Sequence, residues 1–573
     1  MRAPKQDDRN RILVLGIDGA TFDVIDPLID DGRLPNLARL MGEGVSAPLR
    51  STQPCQSSVA WPAFMTGKNP GKTGVYAFWV SNAGQVLRPL INYRCIKTRT
   101  MWETLSQRGY RVGSVNLPVT YPPPEVNGTM VAGLLTPSPE AAFTYPPRLH
   151  TELMAQFGRI PVEMDLMQYS GTGRELDFLR ASVEAMEIRT RVGRYLMDRD
   201  RDWDLFMVTW TITDRIQHFF WKYWDEKHPA SRTERGAKMR EVIPQVYERV
   251  DREIGTMLEE IDLSKDTVVL VSDHGFGPKR KNVYLNRWLE KQGLFAYKKP
   301  YWLRRWRPVP RPVSLGGVLA RLGVGHEITE RLRRFRMPLF KVMSLPPFMM
   351  VDWSKTKAYN NFVGSEEGLF INLAGREPEG IVRSGEEYEA LRDEIIAKLG
   401  ELVDPEDGLP VVDSVHRREE LYEGPYVESA PDLIVTMREH SYMPGVTQGT
   451  KEIFRSTSDP RFEGGQQEGE SGQHRDDGIF VMAGHGCDAN GGRFEDARII
   501  DVYPTLLYLL DEAIPDDVDG EVLRDAVDSD LLKTREIRKT AAGGEKALED
   551  DHVHTEKEDE LVKERLRSLG YFG

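Results

Sequence analysis

Residues 11–18, RILVLGID, constrain the fold more than any other segment. The run is short, apolar and rich in branched residues, as expected of a strand buried on both faces of a parallel sheet. Asp18 then stands at the strand's carboxyl end. The same design recurs in RVGSVNLP (111–118), WDLFMVTW (203–210) and DTVVLVSDHG (266–275), and again in PDLIVTM (431–437) and DDGIFVMAG (476–484). Helical patterns separate these runs, among them PNLARLMGEG, TMWETLSQRG and ERVDREIGTMLEEI. Alternation of this kind predicts an α/β fold: a doubly wound, mostly parallel central sheet with helices on both faces. Open sheets of this type bind ligands at the carboxyl ends of their strands.

The 573 residues suffice for one large α/β domain with insertions, or for two or three smaller ones. We expect a core over 10–295, an inserted cap over 296–345, the rest of the core with a subdomain over 346–525, and a charged tail over 526–573. Within the cap, residues 301–341 carry ten cationic side chains against Glu327 and Glu330, and Pro308, Pro310 and Pro312 break any early helix. This basic stretch reads as a solvated surface, as a lid that steers an anionic substrate, or as a peripheral contact with anionic lipid headgroups. Residues 455–473 are polar and Gly-rich and predict a mobile loop, and the tail ends in a helical pattern at 555–571.

A net charge of −13 argues against a nucleic-acid polymer as partner, because no excess of Lys and Arg is available to neutralise phosphates. A small anionic substrate held by cations remains compatible with it. Cys55, Cys95 and Cys487 are too widely spaced for a disulfide framework or a Cys-type zinc site, and fit a reducing cytosol. The six or so apolar residues near the N-terminus are too few for a signal peptide, and no run approaches the roughly 18–20 residues of a membrane span. These features predict a cytoplasmic protein.

Chemistry-bearing residues gather at the predicted strand ends. Asp18 closes the first run; Asp214 and His218 lie four residues apart, on one face of a helix that follows a strand; Asp273 and His274 leave VVLVSDHG; His474 precedes a later strand. Each alone has an ordinary explanation: a helix cap, a hydrogen-bonded core histidine, a turn. Together they offer the imidazole and carboxylate donors that two zinc ions need, and two such ions can clamp the entering and leaving oxygens of a phosphoryl transfer.

The order of GIDG, a Ser/Thr segment closing in TG and PG, D-x-x-x-H, SDHG and a late His resembles the alkaline-phosphatase superfamily. Its nearest branch is the type I phosphodiesterase/nucleotide pyrophosphatase group. Within that branch the chain is similar to bacterial and archaeal phosphohydrolase/phosphomutase proteins over most of 10–525, including WETLSQRGYRVGSVNLPVTYPPPEVNG and VDWSKTKAYNN. The resemblance implies an alkaline-phosphatase-like fold and two divalent ions, zinc expected, with manganese or iron as substitutes. It places one ion on Asp214, His218 and His474 and the other on Asp18, Asp273 and His274, with Ser57 touching both. The nucleophile of the relatives lies nine positions before the Thr of the TG pair, so counting back from Thr66 selects Ser57 and misses Ser58 by one. Cys55 is off register and reads as a packing residue. The alternative for Ser57 and Ser58 is that they cap a helix beginning near Ala60.

The chain departs from the nucleotide enzymes in carrying Phe78 where they place an Asn, Thr73 where they place a His, and Ser in place of Thr as nucleophile. A sulfatase signature is absent around Ser57. Arg94 and Lys97 follow the nucleophile segment and, with Phe78, are the candidate substrate contacts. No third set of metal ligands is legible. The expected reaction is hydrolysis of a phosphodiester or pyrophosphate in a small phosphorylated substrate, through a phosphoseryl intermediate. The alternatives are a phosphomonoesterase, a phosphomutase or a binding relative that has lost turnover.

Overall fold

The computed structural model describes residues 10–80, 89–162, 175–298, 350–360, 367–445, 452–457, 470–489 and 492–542. The basic stretch at 301–341 and the helical pattern at 555–571 lie outside these residues.

RILVLGID forms β1 (Ile12–Ile17), with all six residues buried. Six further strands precede the middle of the chain: β2 (Gly44–Arg50), β3 (Val112–Val115), β4 (Gly128–Val131), β5 (Thr144–Tyr145), β6 (Leu205–Trp210) and β7 (Thr267–Val271). In the sheet β7, β1, β6, β3 and β4 lie side by side and run parallel. Beyond β7 come the strand Asp477–Gly484, then β2, then the short edge pieces Gly492–Arg493 and Ala497–Arg498. DDGIFVMAG therefore belongs to the central sheet, but runs antiparallel to both β7 and β2. Helix Pro35–Glu43 packs on this strand, and Glu175–Arg199 packs on β3 and β6.

The registers Ile17 with Trp210 and Gly16 with Val271 end β1, β6 and β7 level with one another. Their carboxyl ends thus open at one edge, and the residues that follow are Asp18, the Asp214 helix and Asp273–His274. In these three places the sequence pattern and the sheet agree.

PDLIVTM departs from the expectation. Its strand, Leu433–Met437, sits in a separate four-stranded antiparallel sheet between Gly368–Ile371 and Val412–Arg417. That sheet has its own core, which includes Leu285, Trp288, Leu369, Ile395, Val435 and Tyr442. A short apolar run is buried in either environment, so its composition does not tell the two apart. The stretch 455–473 is also more ordered at its ends than the loop reading implied. Phe454–Ser456 pairs with Lys281–Val283, and Gly472–Arg475 pairs with Gly275–Pro278.

The packing of β7 sets a stability test. Leu270, in β7, is fully buried, so Leu270→Ala is expected to cost about 2–5 kcal/mol, read as a lower midpoint in chemical denaturation of the main core.

Candidate metal centre and nucleophile

Seven residues from five places in the chain converge above the β7–β1–β6 edge. Asp18, Ser57, Asp214, Asp273 and His274 have no solvent exposure, and His218 and His474 have almost none. Asp18 leaves β1 directly and caps no helix, since Thr21 is the N-cap of Phe22–Asp30. Asp214 lies in the first turn of helix Ile212–Trp224, and His218 lies one turn on. His474 does not sit in a loop: it belongs to the strand Gly472–Arg475, in register with Phe276, two residues beyond His274. That pairing brings a histidine 200 residues distant in sequence onto the Asp273–His274 turn.

One half of the centre is a tight triangle. His474 Nε2 is 3.1 Å from Asp214 Oδ1 and 3.2 Å from His218 Nε2, and His218 Nε2 is 3.4 Å from Asp214 Oδ1. In the other half, His274 Nε2 lies 3.3 Å from Asp273 Oδ2 and 3.7 Å from Asp18 Oδ1. The donor atoms of Asp18, Asp273 and His274 all fall within 4.8 Å of one another. The two halves meet where the rings of His274 and His474 stack at 3.6 Å.

The hydrogen bonds around the centre fit a cation. Each histidine turns Nδ1 to a backbone carbonyl: His218 to Gly472 at 3.1 Å, His274 to Gly275 at 3.0 Å and His474 to Cys55 at 2.9 Å. A carbonyl can only accept, so each Nδ1 carries the proton and each Nε2 presents a lone pair to the cluster. Ring orientation through the second nitrogen is the usual arrangement of metal-bound histidines. Burial and the neighbouring carboxylates Asp273 and Asp214 push the Asp18 carboxyl well above its ordinary range. Burial, then Asp214, raises Asp273 to about 7, and its Oδ2 meets no hydrogen-bond donor among the described residues. Burial also lowers His274, and lowers His474 to about 3, which keeps both imidazoles neutral. Buried, crowded carboxylates beside neutral imidazoles are what a divalent cation would compensate.

Ser57 stands at the rim of this cluster. Its Oγ is 3.2 Å from His274 Nε2 and 3.5 Å from Asp18 Oδ1. The helix begins earlier than expected, running Ser57–Thr66 with Gln56 as its N-cap, so Ser57 and Ser58 form its first turn and cap nothing. Ser58 Oγ is buried and has no hydrogen-bond partner among the described residues. Of the substrate candidates, Phe78 packs in the main core. Arg94 is half-buried in the turn Tyr93–Cys95, its N–H donating to Asn92 Oδ1 at 2.8 Å. Lys97 donates its backbone N–H to Thr73 O at 2.9 Å, and its stem lies against Gly74.

The sequence model of the type I phosphodiesterase/nucleotide pyrophosphatase family matches residues 12–465. The chain belongs to this family. It is accordingly a phosphoester hydrolase by family, and its fold is that of the alkaline-phosphatase superfamily. Phosphonoacetate hydrolase from Sinorhizobium meliloti 1021, solved with phosphonoacetate, superposes with a TM-score of 0.51 at 16% identity, covering 88% of this chain and 95% of that one. Human ectonucleotide pyrophosphatase/phosphodiesterase 5 superposes with a TM-score of 0.47 at 12% identity, covering 91% and 100%. No curated protein sequence matches the chain. Among the described residues no helix is long and apolar enough to cross a membrane.

Several supports of this phosphodiesterase-family centre escaped the sequence reading. Trp61 donates from Nε1 to Asp18 Oδ2 at 3.4 Å, and its position one turn after Ser57 is the signal that could have found it. Arg215, buried beside Asp214, places Nη1 3.0 Å from Asp214 Oδ2. Burial works against the charge on Asp214, and the ion pair with Arg215 favours it. Gln217 donates to Gly19 O at 2.8 Å and accepts from Tyr247 at 3.0 Å, which fixes the turn after Asp18.

That turn is the most exacting backbone position of the centre. Gly19 has φ +68°, and a Cβ there would come within 3.0 Å of Asp214 Cα. Gly19→Ala is therefore expected to displace Asp214 and weaken divalent-metal affinity by about 10–100-fold, the range seen when ligand-orienting groups are lost. Equilibrium dialysis against zinc buffers measures it.

Proposed function

We propose that the chain hydrolyses a phosphodiester or pyrophosphate in a small phosphorylated substrate, through a covalent phosphoseryl intermediate on Ser57. The observation that carries the reading is the position of Ser57 Oγ, 3.2 Å from His274 Nε2 and 3.5 Å from Asp18 Oδ1 at the first turn of a helix. In this reading Asp214, His218 and His474 hold one divalent cation and Asp18, Asp273 and His274 hold the other. Zinc is the expected ion, because three imidazole nitrogens and three carboxylates suit it better than magnesium. When bound, such a pair neutralises phosphoryl oxygens, acidifies a nearby hydroxyl and stabilises the leaving oxygen.

The chain's own groups then divide the work. Ser57 Oγ gives its proton to solvent and attacks phosphorus; the bond to the leaving oxygen breaks as the Oγ–P bond forms, and that oxygen leaves with a proton taken from water. Water cleaves the serine phosphate and returns Ser57 to its starting state. The helix Ser57–Thr66 directs the positive end of its dipole at the phosphate. The carbonyls of Gly472, Gly275 and Cys55 hold the three imidazoles in their ligating tautomer. Arg215 keeps Asp214 ionised from outside the reacting atoms.

The diester reading rests on Phe78 standing where the nucleotide enzymes carry a polar donor. At the attacked phosphorus a diester presents one fewer ionised oxygen and a second substituent, whereas a monoester needs an additional cation at the phosphate. Arg94 and Lys97 are the residues of this chain that would serve a monoester.

Two outcomes test the proposal. Ser57→Ala is expected to reduce turnover by roughly 10³-fold or more while metal content, measured by elemental analysis, stays close to that of the unmodified chain because the six ligands remain. Ser58→Ala is expected to be mild by comparison, and near-normal turnover in Ser57→Ala would rule out the assigned nucleophile. Bis-p-nitrophenyl phosphate is expected to be cleaved faster than p-nitrophenyl phosphate. A clear preference for the monoester would turn the assignment to a phosphatase or mutase, and Arg94→Ala and Lys97→Ala would then be the first variants to assay.

A further inference from the structure

The residue that follows His474 is an arginine whose guanidinium is directed at backbone carbonyls. Arg475 Nη1 donates to His474 O at 2.8 Å and to His440 O at 3.0 Å, with Gln473 O at 3.3 Å, and Nη2 donates to Pro278 O at 2.5 Å. These acceptors belong to three segments: the strand Gly472–Arg475 itself, the strand Gly275–Pro278 that follows Asp273–His274, and the turn Arg438–His440. A planar fork of donors can hold acceptors on several sides at once, which a single ammonium on a flexible stem cannot. The guanidinium lies against the backbone of Gly277, where a Cβ would come within 2.5 Å of Nε and 2.7 Å of Cζ. Any larger residue at 277 would therefore push the fork off its carbonyls.

We infer that Arg475 is a positioning residue for His474: by holding the carbonyl of residue 474 and the segments beside it, it keeps the imidazole in its ligating tautomer. The role rests on the reading of His474 as a metal ligand given above. Successive side chains of a strand point to opposite faces, so Arg475 acts on the backbone of its neighbour and not on the ring. The ring itself has two competing choices. Its Nδ1 faces Cys55 O at 2.9 Å, and its Nε2 faces Asp214 Oδ1 at 3.1 Å. Both oxygens accept, so the proton can go to either side, and a proton on Nε2 would leave no lone pair for a cation. Keeping it on Nδ1 depends on the carbonyl of residue 55 staying within hydrogen-bond distance, and hence on where the backbone of residue 474 stands.

The same guanidinium also steadies the Cys55 side. His440, whose carbonyl it holds, sets Nε2 3.0 Å from Asp476 Oδ1 and Nδ1 3.8 Å from Cys55 Sγ. The turn that carries His440 has positive φ at Glu439 and His440, +50° and +48°, a conformation that non-glycine residues keep only where outside contacts impose it. Arg475 supplies one such contact. His474 is thus bracketed: its backbone is held by Arg475, and its ring by the carbonyl of a residue whose thiol rests on the turn that Arg475 also holds.

Nitrogen NMR of the full-length chain, labelled at histidine and freed of metal by a chelator, separates this role from the metal chemistry. The His474 signals, assigned by their loss in His474→Gln, are expected to show the Nδ1–H tautomer in the unmodified chain and a shift towards Nε2–H in Arg475→Met. Titration with buffered zinc gives the second readout. Arg475→Met is expected to weaken zinc binding by about 10–100-fold, the range for lost ligand-orienting groups, and Arg475→Lys by less. In a His474→Gln background, Arg475→Met is expected to change zinc affinity by less than about twofold, because its effect passes through residue 474. A general loss of structure would cost the same in both backgrounds. Gly277→Ala keeps the arginine and adds one methyl beneath it, so it is expected to shift the tautomer the same way, and it decides the matter if Arg475→Met does not fold. An unchanged tautomer and affinity in these variants, or an effect of Arg475→Met that persists in full with His474→Gln, would overturn the assignment. A tautomer shift in a chain that binds no zinc would sink the metal reading and leave the positioning role standing.

Discussion

Three carboxylates, Asp18, Asp214 and Asp273, stand together with no access to water, and much of the surrounding architecture answers to their mutual repulsion. A desolvated carboxylate is costly alone and costlier beside another. The chain meets the cost in two different ways. Asp214 is given Arg215, which favours its ionised form. Asp18 and Asp273 are raised by burial and by their acidic neighbours, which leaves their side of the centre short of positive charge. Only a sheet whose strands run the same way can deliver all three acids to one edge, because β7, β1 and β6 must end together there.

The second constraint is rotational. An imidazole placed correctly but turned the wrong way presents an N–H to a cation. The three carbonyls that accept from Nδ1 remove that freedom, and each belongs to a segment that already has another task. Gly275 O is part of the strand that follows Asp273–His274, Gly472 O part of the strand that carries His474, and Cys55 O part of the loop before the nucleophile. Tyr422, buried in a small cluster with Tyr76 and Ile434, reaches the same loop by donating to Gln53 O at 2.7 Å. Ser57 and the histidine cluster are thus held by shared backbone, so displacement of the 51–56 loop would be felt at His474 as well as at Ser57.

What the sequence made legible follows from these constraints. β1, β6 and β7 could be read because a strand buried on both faces is almost entirely apolar, so the first acid after it marks the sheet edge. The pair Asp214 and His218 could be read because helix geometry fixes which residues share a face. PDLIVTM misled because an antiparallel strand inside a second core looks the same in composition. GQHR gave no strand signal, since its pairing with Gly275–Pro278 comes from tertiary context and not from apolar or β-branched residues. Cys55 and His440 are 385 positions apart and share no motif, so their meeting is visible only in the fold.

Cys55 also bears on the proposed role of Ser57. As the more nucleophilic atom type, its sulfur is the natural rival of a serine two residues away. The chain turns that sulfur to His440, 3.8 Å from Nδ1, and offers the cluster only the backbone carbonyl of residue 55. Burial raises the thiol above its ordinary range even though His440 works to lower it. Two residues on, the backbone has entered a helix, and the Oγ of Ser57 points to His274 and Asp18. What separates the two candidates is therefore direction more than reactivity: the weaker nucleophile faces the place where cations can activate it, and the stronger one faces away.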